Sequence, residues 1–288
     1  MSEWKNGALY VVGTPIGNLQ DFSPRAVETL ESVDFIAAED TRVTMKLLSH
    51  FDIHKPLTSY FEHNKAEKGP EIVNRLLSGE TCALVTDAGM PAISDPGQDL
   101  VDLCLSEDIP VVSVPGPTAF ATALALSGMD SRRFTFEGFL NVDKKKRREQ
   151  LDFLASQPCT IILYEAPHKL SATLRDLYKS LGNRKITIVR ELTKIHEEII
   201  RTTLEQAVEA YPDNNLRGEL VLILEGKKEE TRKWTLEEAA YLARKYMKEG
   251  LSASAAAKEA ARDSGLKKGD IYRRLTRKPD SNQEEERL

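Results

Sequence analysis

The chain has 288 residues, of which 41% are hydrophobic and 30% charged, and a formal net charge of −5. That balance excludes a wholly disordered chain and leaves room for two compact domains. No apolar run approaches bilayer-spanning length, and the start Met1-Ser2-Glu3-Trp4-Lys5 lacks the basic cluster and apolar core of a secretory signal, so a soluble, cytoplasmic protein with no membrane partner is expected.

In chain order, Leu9-Tyr10-Val11-Val12, Phe35-Ile36-Ala37-Ala38, Cys82-Ala83-Leu84-Val85 and Val111-Val112-Ser113-Val114 read as buried strands separated by helix-length segments. Helix starts fall where Pro occupies a first turn, at Ser23-Pro24, Pro96-Gly97 and Pro117-Thr118. This pattern predicts a mainly parallel α/β sheet. A second series follows: 134 to 139, 160 to 164, 186 to 189, 198 to 203 and 220 to 224 read as strands, with helices over 144 to 156 and 167 to 180. Short links between the last strands predict a mixed sheet. Beyond Gly226 only helices are expected, opening with the capping-box spacing Thr235-Leu236-Glu237-Glu238. The expected organisation is an α/β domain over 1–120, a second over 121–228, and a helix-turn-helix-like extension over 229–288 with a frayed tail.

Charge follows that division. Residues 1 to 226 hold 24 Lys/Arg against 33 Asp/Glu, whereas 227 to 278 hold 15 against 8. Lys267, Lys268, Arg273, Arg274, Arg277 and Lys278 cluster in the last helical segment, a pattern that suits either phosphate contact or a solvated helical surface. Cys82, Cys104 and Cys159 are dispersed and read as small buried side chains rather than disulfides. His50, His54 and His63 lack a ligand pattern, so no metal site is expected.

Chemistry in an open α/β sheet belongs at the carboxyl ends of the strands. Four loops qualify in the first domain. Gly13-Thr14-Pro15-Ile16-Gly17 follows the first strand and fits neither the dinucleotide fingerprint nor the Lys-bearing phosphate loop. Glu39-Asp40-Thr41-Arg42 follows the second; here Asp40 either caps a helix, or it or Glu39 handles a proton, with Arg42 suited to a phosphate. Asp87 to Gly97 alternates Gly, Pro and Asp, as a loop bringing backbone close to a ligand would, and Pro115-Gly116-Pro117-Thr118-Ala119 is the fourth. None offers an obvious nucleophile, which argues for an enzyme that positions its reactants. In the second domain Tyr164-Glu165-Ala166-Pro167-His168 and Arg190-Glu191-Leu192-Thr193-Lys194 follow strands, so a cleft between the domains is expected. His168 sits at a helix start, where a local hydrogen bond competes with a proton-transfer role.

Together these six tracts resemble the 16S rRNA methyltransferases of the tetrapyrrole methylase fold family over residues 7 to 226, and more loosely in the C-terminal extension. The resemblance implies S-adenosylmethionine-dependent 2′-O-methylation of a cytidine ribose in the decoding region of 16S rRNA, acting on free rRNA or the 30S subunit, by a homodimer. It implies a cofactor folded into the interdomain cleft against Pro15, Asp87, Gly89, Met90, Ile93, Thr118, Ala119 and Tyr164, held largely by main chain. Met90 stands where Thr is commoner in this motif, and Thr118 where Ser or Cys is frequent. For catalysis, Asp40 is the expected proton acceptor or hydroxyl-orienting group, with Arg42 and Arg190 holding phosphates and Glu191 supporting them. Two alternatives stay open: methylation of a precorrin-type tetrapyrrole, and a non-catalytic RNA-binding assembly factor.

Overall fold

The structure, a computed structural model, describes residues 7–213, 216–228 and 234–276. The chain divides after Lys227 into two compact units. Met1 to Lys5, Arg277, Lys278 and the 281–288 tail lie outside the described residues.

The first unit holds two five-stranded sheets. Strands β1 (Leu9–Val12), β2 (Phe35–Ala38), β3 (Leu57–Ser59), β4 (Cys82–Val85) and β5 (Val111–Val114) form an all-parallel sheet in the order β3-β2-β4-β1-β5. Successive residues of a strand point to opposite faces, and both faces are covered. Phe35, Ala37, Cys82 and Leu84 meet Ile72 and Leu76 of α3 (Lys65–Leu77) and Leu100 and Cys104 of α4 (Gly97–Ser106). Ile36, Ala38, Ala83 and Val85 meet Ala26 and Leu30 of α1 (Pro24–Ser32) and Leu48 of α2 (Thr41–His50). The edge strand β3 has no matching expectation in the sequence: its three residues are only half-buried and carry no apolar run.

The second sheet, in the order β6-β7-β10-β8-β9, is mixed. It comprises β6 (Phe134–Phe139), β7 (Thr160–Glu165), β8 (Lys185–Arg190), β9 (Glu198–Thr203) and β10 (Leu220–Leu224). Only β6 and β7 pair parallel. One face packs on α6 (Lys144–Ser156), α7 (Leu170–Leu181) and α8 (Leu204–Ala210) through Leu151, Leu154, Leu174, Leu177 and Leu204. The other is covered by Ala123 and Leu124 of α5 (Ala119–Ser127), together with Ile16 from the loop after β1. Ile16 thus ties a strand-end loop of the first lobe into the core of the second.

The second unit packs α9 (Leu236–Lys248), α10 (Ala253–Ser264) and α11 (Lys268–Thr276) around Ala239, Ala243, Ala256, Ala257, Ala260 and Ile271. Small side chains at the contact let helix axes approach closely. Thr235 and Glu238 close the capping box.

Candidate active site

The strand order places the switch point of the parallel sheet between β1 and β4, because the chain leaves β1 toward β2 and later crosses from β4 over β1 to β5. The loops after β1 and β4 meet there. Thr14 and Gly89 exchange backbone hydrogen bonds of 2.9 and 3.1 Å, and the Thr14 hydroxyl donates to the Thr86 carbonyl at 3.1 Å. The loop after β5 closes against them: a Cβ on Gly13 would lie 2.6 Å from the Gly116 Cα and 2.7 Å from the Met90 sulfur. No larger residue fits at Gly13 without parting these loops.

Within the Asp87 to Gly97 loop, Gly89, Ala92 and Ser94 adopt positive φ, a conformation that costs about 1–3 kcal/mol at a non-glycine residue and persists only where the surroundings over-determine it. Asp95 supplies that determination. Its Oδ1 accepts from Ala92 N at 2.9 Å and Gly97 N at 2.7 Å, and its burial pushes its pKa up despite these bonds. Ser94, at the loop tip, reaches the second lobe at Gly138, where a Cβ would stand 3.0 Å from its hydroxyl.

Beside this loop Glu39, Asp40 and Asp87 come together. Glu39 accepts from the Thr86 hydroxyl at 2.5 Å, and Asp87 Oδ1 accepts from Asp40 N at 3.1 Å. Burial and the neighbouring Glu39 raise the Asp87 pKa. Asp40 is different. It caps α2, accepting from Arg42 N at 2.8 Å, and its carboxylate is gripped by the Arg42 guanidinium at 3.0 and 2.6 Å, which holds its pKa down at about 2. Arg42 remains 86% exposed.

On the second lobe the charged candidates are engaged with one another. Arg190 pairs with Glu198 at 2.9 Å. Glu191, at φ 51°, accepts from Lys194 Nζ at 2.8 Å and from Glu219 N at 3.0 Å, and Lys194 keeps its carboxyl below the usual range. His168 lies exposed on a single 3-10 turn, Pro167–Lys169, ahead of α7.

Between the two lobes lies a cavity of about 390 Å³. Its apolar wall includes Ile16, Ile93, Ala119, Val189, Leu192 and Val221, and its charged groups are Glu39, Asp87, Asp95, Glu165 and Glu219, with no Lys, Arg or His among the described residues. A second cavity, of about 420 Å³, adjoins it against α2.

The sequence profile described as Tetrapyrrole (Corrin/Porphyrin) Methylases matches residues 8–208. A Synechocystis protein named ribosomal RNA small subunit methyltransferase I is 47% identical over 92% of this chain and 96% of its own length. The chain belongs to this branch of the tetrapyrrole methylase family. A Halalkalibacterium halodurans relative of the same name is also 47% identical, over 92% of this chain and 93% of its own. Among solved structures, the Thermus thermophilus uroporphyrin-III C-methyltransferase complexed with S-adenosyl homocysteine shares the fold at TM-score 0.54 and 18% identity, over 76% of this chain and 97% of that one.

On this methylase fold the expected cofactor residues separate into four groups. Asp87, Ile93, Ala119 and Tyr164 line the 390 Å³ cavity. Pro15 lines the adjoining one. Gly89 and Met90 shape the loops instead, Gly89 through its bonds to Thr14 and Met90 by accepting from Gly116 N at 3.2 Å through its sulfur. Thr118 caps α5 with no side-chain bond to the helix. Tyr164 accepts from Phe120 N at 3.2 Å and packs edge-on against Phe136, with ring centres 5.0 Å apart. Leu192, Val221, Glu165 and Glu219 went unassigned in the sequence. Val221 lies near the start of the apolar strand β10, and Leu192 in the loop two residues after β8.

Proposed function

We propose that the protein is an S-adenosylmethionine-dependent methyltransferase acting on the ribose 2′-oxygen of a cytidine in the decoding region of 16S rRNA. The carrying observation is the cavity lined by five carboxylates and no cation. Such a lining fits an adenosine that bears a sulfonium and an ammonium, and opposes a polyphosphate nucleotide. Ile16, Ile93, Leu192 and Val221 offer apolar surface to the purine, and Asp87 and Asp95 offer negative charge to the cationic end. The names of the relatives support rRNA as the acceptor.

When bound, the cofactor supplies a methyl carbon whose bond to sulfur breaks, leaving its electron pair there, as the ribose oxygen attaches. The protein's share is alignment and the removal of one proton. Asp87 borders both cavities and has the raised pKa of a group able to take that proton. Asp40, held near pKa 2, is a far weaker acceptor, and its part is to aim Arg42 at a phosphate. Arg190 and Glu191 hold the second rim in shape. Lys267, Lys268, Arg273 and Arg274 of the helical unit add RNA affinity from outside the chemistry, although Arg273 and Arg274 already pair with Asp270 and Glu237. The working form is a homodimer.

Incubation with methyl-labelled cofactor and 30S subunits, free 16S rRNA or a precorrin separates the readings. Label is expected in rRNA, at one cytidine whose 3′ linkage resists alkali because the 2′-oxygen is blocked. Label in the macrocycle, or on a base, overturns the assignment.

A further inference from the structure

We infer that the 420 Å³ cavity against α2 is the acceptor compartment, receiving one ribonucleotide with its base on the apolar side of α2 and its phosphate at Lys46. The inference rests on the methyltransferase reading above and adds where the substrate sits and which groups recognise it.

Contiguity is the first argument. In-line transfer needs reacting atoms about 3–3.5 Å apart, so the acceptor must share a wall with the donor. Ile16, Thr86, Asp87, Ala88 and Glu219 line both cavities. Asp87 therefore stands where the two compartments meet.

Val43, Lys46, Leu47 and His50 recur at i, i+3, i+4 and i+7, which places them on one face of α2, and all four line the cavity. Val43 is 39% exposed and Leu19, across from it on the loop after β1, is 41% exposed, leaving apolar surface for the face of a base. Lys46 makes no hydrogen bond or ion pair among the described residues. Its charge is free for a phosphate, whereas Lys194 on the opposite wall is committed to Glu191 and Glu219. A phosphate would meet five carboxylates in the donor cavity, whereas here it meets two, Asp87 and Glu219, with Lys46 and Lys194 beside them. The volume suits one nucleotide and not a duplex, so the target enters out of its stack.

The test uses full-length protein and 30S subunits. Lys46→Glu is expected to raise KM for 30S about tenfold at unchanged kcat, with Lys46→Arg close to wild type. Lys46→Ala should lower the slope of log affinity against log salt by about 0.7–1, the share of one phosphate contact. S-adenosylmethionine affinity should not change in any of these variants. Val43→Asp, at an exposed position, should also raise KM. If enzyme carrying Lys46→Glu or Val43→Asp methylates 30S subunits with wild-type KM and salt slope, the compartment is misassigned while the methyltransferase reading stands. If wild-type protein binds S-adenosylmethionine and leaves rRNA unlabelled, the reading itself falls and takes this inference with it.

Discussion

The two lobes of the first unit bring loops of similar composition to one cavity, and one set of charges on each is treated in the opposite way. On the second lobe, Arg190 is matched by Glu198, and Glu191 by Lys194 and a backbone amide. On the first, Glu39 and Asp87 face each other with backbone and hydroxyl donors but no cation of their own, and Asp87 is correspondingly hard to ionise. Groups already neutralised by a neighbour hold shape, while groups kept short of a partner are available to a ligand. On the proposed reading, Asp87 of the first lobe is the group that takes the hydroxyl proton.

The largest expected effect falls on that side. Asp87→Asn should lower kcat by about 10²–10⁴, the range for removing a positioned proton acceptor, in a protein that still folds. An effect below tenfold would move the proton elsewhere. Asp95→Ala is next: two charge-assisted bonds to Ala92 and Gly97 are lost, each worth about 1.5–3 kcal/mol. With the loop released, S-adenosylmethionine affinity should fall at least about tenfold by calorimetry.

Glu191→Gln probes the other lobe and should cost about 1–2 kcal/mol in denaturant unfolding, with turnover within about twofold of wild type. The sign with pH follows from its lowered pKa. The Glu191 contribution is present above the ordinary value of 4.5 and is lost as pH falls through the lower folded value, so the difference between variant and wild type should shrink in acid. A large loss of turnover with intact stability would make the second rim catalytic after all. The smallest effect is expected of Asp40→Asn, since Asn caps helices about as well as Asp and its amide oxygen can still accept from Arg42: turnover within about twofold, with stability little changed and an unchanged pH profile.

Much of this frame was legible in the sequence, for reasons that particular residues make plain. β1, β2 and β4 match their apolar runs residue for residue, because a strand buried on both faces leaves a continuous apolar tract, and the edge strand β5 matches its run although Ser113 is exposed. β3 leaves none. The Asp40 tract carried two meanings, cap and chemistry, and only the geometry shows the carboxylate closing on Arg42. The meeting of Glu39 with Thr86, 47 residues away, is fixed by β2 pairing with β4, which no local pattern encodes. The placing of Glu39, Asp95 and Glu165 in one cavity, Lys46 in the next, and Asp87 and Glu219 where the two meet is likewise a property of the assembled loops.

The central claim is that the methyl donor occupies the carboxylate-lined cavity between the lobes. Ala119 lines it at the start of α5 and is only half-buried, so Ala119→Trp fills the space without displacing a buried side chain. Calorimetric titration with S-adenosylmethionine should give saturable one-to-one binding to wild type and no measurable binding to Ala119→Trp, with thermal stability little changed. Binding of equal affinity to both proteins would contradict the account.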